Sequence, residues 1–311
     1  MSVAQFALGQ EQLANPEEVS QRQLVWRRFR RHKLAVVGLA IIVSLAFFAY
    51  IGPFLNPFDG NTIPTRQNAV ENLRPMHYAP DGLHVLGTDS SGRDYLARLM
   101  QGGRVSLTLA ILVTLCSQTI GMVVGSTSGF LGGWVDSVLM RFVDFLLTLP
   151  LLPLLLVFYV LIPPNNVPGG SMTVLFIVLV TFGWMGTARL VRGMVLSLKN
   201  QEFTDAARSM GASNWEIISH HMLPNSLAPV IVSATLGAGG VIITEAALSY
   251  LGFGVRPPDP SWGNLLHDVQ GYMFTNPLLV FYPGICIFFT SLSFNFIGDA
   301  LRDALDPRLK M

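Results

Sequence analysis

The chain has 311 residues, of which 51% are hydrophobic and only 13% charged, with a mean hydropathy of +0.48. Soluble globular chains carry about a quarter charged residues, so this composition excludes an ordinary soluble domain and indicates an integral membrane protein. The formal net charge of +1 selects no class of partner, and Cys116 and Cys286, both inside apolar runs, form neither a disulfide framework nor a C-x-x-C metal site.

Residues 1–33 are polar and end in a basic cluster of Arg22, Arg27, Arg28, Arg30, Arg31 and Lys33. A basic flank directly before an apolar run marks a cytoplasmic anchor rather than a nucleic-acid site. Trp26 and Phe29 within it suit a helix lying in the membrane interface. The first apolar run starts only at Leu34 and lacks a small-residue cleavage site, so no secretory signal is expected. Residues 34–55 carry no charge and suffice for one span, since about 20 residues cross the hydrocarbon core.

An extracytoplasmic loop is expected over 56–104, with Pro57, Pro64, Pro75 and Pro80. Near its end, Thr88 or Asp89 is placed to cap a helix with Tyr95, Leu96, Leu99 and Met100 on one side. Asp89 and Arg93, four apart on that helix, can pair as an exposed couple. The second span falls within the uncharged stretch 105–135. Gly121, Gly125, Gly129 and Gly133 recur every four residues there and make a smooth stripe that lets another backbone approach closely. The stripe suits either a partner subunit or a helix of this chain. Asp136, Arg141 and Asp144 follow, and Arg141 and Asp144, three apart, can pair at the membrane edge.

The uncharged stretch 145–188 is too long for one span. Pro163, Pro164, Asn165, Asn166, Pro168, Gly169 and Gly170 mark a turn inside it, giving a third span over 145–162 and a fourth over 171–188. Arg189, Arg192 and Lys199 mark the return to the basic side.

Residues 202–229 then form a polar segment between apolar runs. Phe203, Ala206, Ala207 and Met210 fall at helical spacing on one small apolar face. Gly211 is expected to end that helix, because glycine takes the left-handed C-cap conformation without steric cost. Ser213 and Glu216 form an S-x-x-E capping box that starts a second helix at once. Pro224 and Pro229 favour kinks where this helix passes into the fifth span, which runs from 222 to about 251. Residues 255–276 form an outer loop, 277–298 the sixth span, and 299–311 a charged tail. The expected layout is thus an all-α membrane protein with a five-helix core over 105–298 and a protruding loop at 199–224.

Six spans place both termini on one side. With the termini inside, inner segments hold 14 lysines and arginines and outer segments six, five of them in the long first loop, which obeys the charge rule weakly. Cytoplasmic termini and a cytoplasmic 199–224 loop follow.

Glu245 is the carboxylate that stands out, on the outer half of the fifth span. An ionised group near the hydrocarbon centre costs roughly 2.5–3.5 kcal/mol, so such residues face a bundle interior or a watery cavity. Glu245 therefore either lines a cavity or gate, or is solvated near the outer interface or hydrogen-bonded to Ser249 at i+4. Neither G-x-x-x-x-G-K-[ST] nor H-E-x-x-H nor G-x-S-x-G occurs, so the chain is not expected to bind nucleotide, metal or cofactor, or to be an enzyme.

Asp205-Ala206-Ala207, three residues, Gly211, then Leu223-Pro224 resembles the E-A-A-x-x-x-G loop of binding-protein-dependent ABC transporter permeases, with Asp205 in place of the Glu and His221 in place of the Ile. H-M-L-P-N at 221–225 is similar to the peptide and nickel branch. L-G-T-D-x-x-G-R-D at 86–94, E-A-A-L-S-Y-L-G-F-G-V from Glu245 and G-D-A-L-R-D-A-L-D-P-R-L-K at the tail resemble its C-type members. The resemblance implies a type I ABC importer permease in the bacterial inner membrane, taking up di- or oligopeptides or, in sister systems, nickel, glutathione or opines. It implies a heterodimer with a second permease subunit, two cytoplasmic ATP-binding subunits that hold the ATP and Mg, an extracytoplasmic solute-binding protein and surrounding membrane lipid, and no nucleic acid. It assigns ATPase coupling to Asp205, Ala206, Ala207, Met210, Gly211, Leu223 and Pro224. An ion-coupled secondary transporter or channel is the alternative, and would need intramembrane acids beyond Glu245.

Overall fold

The computed structural model describes residues 21–61, 84–89 and 91–305. Residues 1–20, His77 with Pro64, Pro75 and Pro80 of the first outer loop, and the tail from 306 lie outside the described residues. Among the described residues every regular element is helical, apart from one isolated antiparallel bridge between Thr88 and Asp94.

In chain order the helices are α1 (Gln21–Arg31), α2 (Lys33–Tyr50), α3 (Gly52–Leu55), α4 (Tyr95–Leu131), α5 (Gly133–Thr148), α6 (Leu151–Leu161), α7 (Gly170–Gly183), α8 (Met185–Leu198), α9 (Glu202–Ser209), α10 (Asn214–Ile217), α11 (Leu223–Tyr250), α12 (Trp262–Asp268) and α13 (Leu278–Leu305). Among the described residues five stretches are long and apolar enough to cross a membrane: Lys33–Tyr50, Tyr95–Leu131, Gly170–Leu198, Asn214–Tyr250 and Leu278–Leu305. The pair α5 and α6 makes a sixth if taken together, but it bends by 97°. The expected third span, 145–162, is therefore no straight helix. Pro150 sits at the corner as the N-cap of α6, and a proline cannot supply the backbone donor needed to carry α5 onward.

Helix α4 is the hub. It packs against α8, α11, α2 and α7, while α13 closes the bundle against α11 and α2. Contact between α4 and α8 is made by the glycine stripe. A Cβ on Gly121 would stand 2.6 Å from Thr187 Cβ, and one on Gly129 would stand 2.9 Å from the Arg192 carbonyl. The stripe thus serves packing within this chain. Gly133 does not belong to it: the helix ends at Gly132, and nothing lies within 4 Å of a Cβ built on Gly133.

Three sequence expectations about charge are corrected here. The helix near the outer loop is not a separate piece capped by Thr88 or Asp89. Asp94 caps it, accepting from the Ala97 amide at 2.7 Å, and it continues without a break as α4. Asp89 and Arg93 do pair, at 2.7 Å, but in a buried turn ahead of the helix rather than on an exposed helical face. The Asp89 carboxylate also accepts from the Ser91 and Arg93 amides, at 2.8 and 2.9 Å. Finally, Asp144 pairs with Arg189 on the α7–α8 span, not with Arg141, and Asp136 takes Arg192 in a two-pronged contact, with Nη2 to Oδ2 at 2.6 Å. Both pairs join α5 to α8.

Beside this turn lies Arg98, fully buried in the first turn of α4. Its Nε stands 3.2 Å from Asp89 and its Nη2 3.7 Å from Asp268 at the end of α12. Burial pushes the Asp268 carboxyl above the usual carboxylate range, and Arg98 pulls it back. Trp262 at the start of α12 is also fully buried and donates its indole N–H to the Leu99 carbonyl at 3.0 Å. The segment read as an outer loop over 255–276 therefore carries a seated helix.

Candidate functional site

Two places concentrate polar groups around the spans. One is the elbow between α8 and α11; the other lies around Glu245, near the opposite end of α11. Pro224 and Glu245 are 21 residues apart on one helix, which at 1.5 Å per residue is roughly 32 Å, about the thickness of a hydrocarbon core.

The elbow forms as its residues dictate. Gly211 has φ +87°, a left-handed value that side chains with a Cβ rarely adopt. The Ala212 amide bonds the Ala207 carbonyl at 3.1 Å and the Gly211 amide bonds the Arg208 carbonyl at 3.0 Å, the two contacts of a Schellman stop. Both halves of the capping box are present: Ser213 N–H donates to Glu216 Oε2 at 2.7 Å, and Glu216 N–H to Ser213 Oγ at 3.3 Å. Beyond α10 the chain makes a π turn over Ile218–Met222 and passes without a break into α11. In that turn the Leu223 amide reaches back five residues to Ile218, just before Pro224, which has no amide hydrogen to contribute.

The face buried by α9 differs from the one read from spacing. Thr204 and Ala207 are buried and Phe203 half-buried, while Ala206 and Met210 face outward, Met210 at 82% exposure. Met210 is the C-cap, past the last full turn, so it leaves the stripe. The inner face of the elbow, Ala207 with Ile217, Ile218 and Met222, packs on Phe130 of α4 and Val191 and Val195 of α8, with Leu223 against the same cluster. The Thr204 hydroxyl donates to the Leu198 carbonyl at 3.0 Å, and the Arg208 guanidinium lies 5.3 Å from the Phe130 ring centroid. The Asp205 carboxylate faces Arg208 at 3.7 Å. The outer face presents Asp205, Ala206, Met210, Gly211 and Pro224 together with Trp215, which is 61% exposed. An apolar knob on a rigid base, with short side chains around it, is a shape for seating in another protein's groove.

Around Glu245 the geometry is closed. The carboxylate is buried and accepts three hydroxyls: Ser106 on Oε2 at 3.0 Å, and Ser249 and Ser261 on Oε1 at 2.7 and 2.8 Å. Ser106 Oγ in turn accepts the Trp262 amide at 3.2 Å, and Ser261 Oγ accepts the Asn264 amide at 3.1 Å as the cap of α12. Glu245 therefore ties α4, α11 and α12 together. The expected Ser249 contact is present. Ser106 and Ser261 come from remote segments, and nothing in the local sequence announces them. Among the described residues no group of three His, Cys, Asp or Glu side chains is arranged to hold a metal ion.

Comparison with known proteins bears on both places. Residues 121–311 match the family described as binding-protein-dependent transport system inner membrane component, and residues 20–75 match the N-terminal TM domain of oligopeptide transport permease C. The chain is similar to the oligopeptide transport system permease protein OppC of Haemophilus influenzae, with 39% identity covering 91% of this chain and 87% of that protein. It is 36% identical to the dipeptide transport system permease protein DppC of Bacillus subtilis, covering 98% and 93%. It is 37% identical to the glutathione transport system permease protein GsiD of Pectobacterium atrosepticum, covering 92% and 90%.

Proposed function

The chain belongs to the family of binding-protein-dependent transport system inner membrane components, and on that footing we propose that it is the C-type permease subunit of an ATP-driven importer of di- or oligopeptides. Relatives named for oligopeptide, dipeptide and glutathione transport share a small-peptide cargo, which supports the substrate class. The subunit is a multi-pass protein of the inner membrane with both termini in the cytoplasm. It works as a heterodimer with a second permease subunit, receives peptide from an extracytoplasmic solute-binding protein, and is driven by two ATP-binding subunits. ATP and Mg belong to those subunits, and this chain contributes no catalytic group.

The observation that carries the coupling role is the two-sided elbow. Its inner face is locked onto α4 and α8, and its outer face offers Met210 and Trp215. Asp205, Ala206, Met210, Gly211 and Pro224 form the docking side, while Ala207 and Leu223 hold it to the bundle. A push on the knob is passed through α10 and the π turn into α11, a single rod reaching the Glu245 hydroxyl cluster. The cycle of the ATP-binding subunits then tilts α11 against α4 and α13 and switches the translocation path between the two sides of the membrane.

The test is reconstitution of this chain with its partner subunits in vesicles, with a labelled dipeptide presented on the binding protein. Uptake that requires ATP is expected. Uptake driven by an imposed ion gradient without ATP would overturn the proposal in favour of a secondary transporter.

A further inference from the structure

Helix α1 carries five arginines and no acidic residue. At 3.6 residues per turn, Val25, Trp26 and Phe29 share one face, Arg28 and Arg30 fall on its two edges, and Arg27 and Arg31 lie behind it. The apolar face is set against the C-terminal end of α13, where Ile297, Leu301 and Leu305 recur every four residues. Between them, and against Leu39 of α2, runs an open slot of about 500 Å³ lined by apolar residues. Trp26 stands at its edge, 56% exposed, stacked on Phe29 at a centroid distance of 6.0 Å. Asp299 and Asp303 are two residues off the α13 stripe and so on the far side of that helix, which leaves the α1 rim of the slot cationic. Arg27, Arg30, Arg31 and Lys33 are exposed. Lys33 begins the span α2, so the slot opens where hydrocarbon meets headgroups.

We propose that this slot is a binding site for an anionic phospholipid, with an acyl chain between α1 and α13 and the phosphate on Arg30 in the field of Arg27, Arg31 and Lys33. Charge complementarity selects the occupant. A free anion has no use for an apolar slot, and a neutral lipid gains nothing from its cations, whereas basic residues beside the membrane each favour anionic lipid. The inference rests on the chain spanning a membrane and is independent of what it carries.

The test uses the full chain in phosphatidylcholine vesicles doped with brominated phosphatidylglycerol or with brominated phosphatidylcholine, reading the Trp26 emission as the difference between wild type and Trp26→Phe. Phosphatidylglycerol is expected to quench Trp26 at a mole fraction about tenfold lower than phosphatidylcholine. The Arg27→Gln/Arg30→Gln variant, with unchanged helical content, is expected to bring the two curves together, and excess inorganic phosphate is expected to leave the preference in place. Equal quenching in the wild type would reduce the slot to ordinary lipid contact and overturn the proposal. So would a preference that survives the double substitution, a preference abolished by inorganic phosphate, or the absence of quenching by either lipid that a protein segment filling the slot would give.

Discussion

Ser106 and Glu245, 139 residues apart in the chain, meet at 3.0 Å and join α4 to α11 inside the bundle. Ser249 and Ser261 complete the set, so three hydroxyl hydrogens converge on two oxygens. Glutamine in place of Glu245 keeps one acceptor oxygen and can turn its amide toward a hydroxyl oxygen; leucine takes the acceptor from all three hydroxyl hydrogens. Each buried hydroxyl hydrogen left without an acceptor costs about 1–3 kcal/mol. Glu245→Leu is therefore expected to lower the thermal midpoint of the detergent-solubilised chain sharply and Glu245→Gln only slightly. Equal midpoints for the two variants would remove the structural role given to these contacts.

Gly121 tests the close approach of α4 and α8. Its Cβ would fall 2.6 Å from Thr187 Cβ and 2.8 Å from the Trp184 carbonyl, so Gly121→Ala must push the helices apart, at about 1–3 kcal/mol. Gly186 on α8 has nothing within 4 Å of the added atom, and Gly186→Ala is expected to be neutral or to stabilise by about 0.5–1 kcal/mol. Unfolding midpoints of the two variants measure the contrast.

At Gly211 the expectation separates folding from coupling. An added side chain meets no neighbour there, so the effect of Gly211→Val comes from the φ of +87° alone. That strain, about 1–3 kcal/mol, falls on the elbow and leaves the spans untouched. Normal amounts of the variant in the membrane, with ATP-driven peptide uptake lost, are expected from immunoblotting and transport assays on the same vesicles. Undiminished uptake would remove the elbow from the coupling path.

Arg98 is the buried cation in the first turn of α4. Arg98→Met leaves the Asp268 carboxylate without this cation, while Asp89 keeps Arg93 at 2.7 Å, and breaking a buried pair costs up to about 3–5 kcal/mol. Arg98→Met/Asp268→Asn removes that stranded charge and is expected to recover part of the loss. Thermal unfolding of both variants decides it, and a double variant no better than the single one would mean that Asp268 is not the partner that matters.

What could be read from the sequence follows the range of each interaction. The elbow is written within fifteen residues: Gly211 for the left-handed stop, then Ser213 and Glu216 for the restart, and both form as local chemistry requires. The spans were equally legible from apolar length. The bend at Pro150 was not, because an uncharged run long enough to cross gives no hint that it turns through 97°. Asp144 shows the second limit. Arg141 lies three residues away and Arg189 forty-five, yet the distant cation takes the carboxylate because α5 folds back beside α8. The glycine stripe shows the third: its smoothness was plain, but whether it met α8 or another subunit depends on which helix lies alongside.

The continuity of Asn214–Tyr250 has a mechanical consequence. A helix tied near one tip to α4 and α12 through Ser106 and Ser261, and pushed at the other as proposed, swings about its anchor instead of sliding lengthwise. Travel is then greatest at the elbow end and smallest at the Glu245 end, so on the proposed coupling one end of the path can open while the hydroxyl clasp stays made.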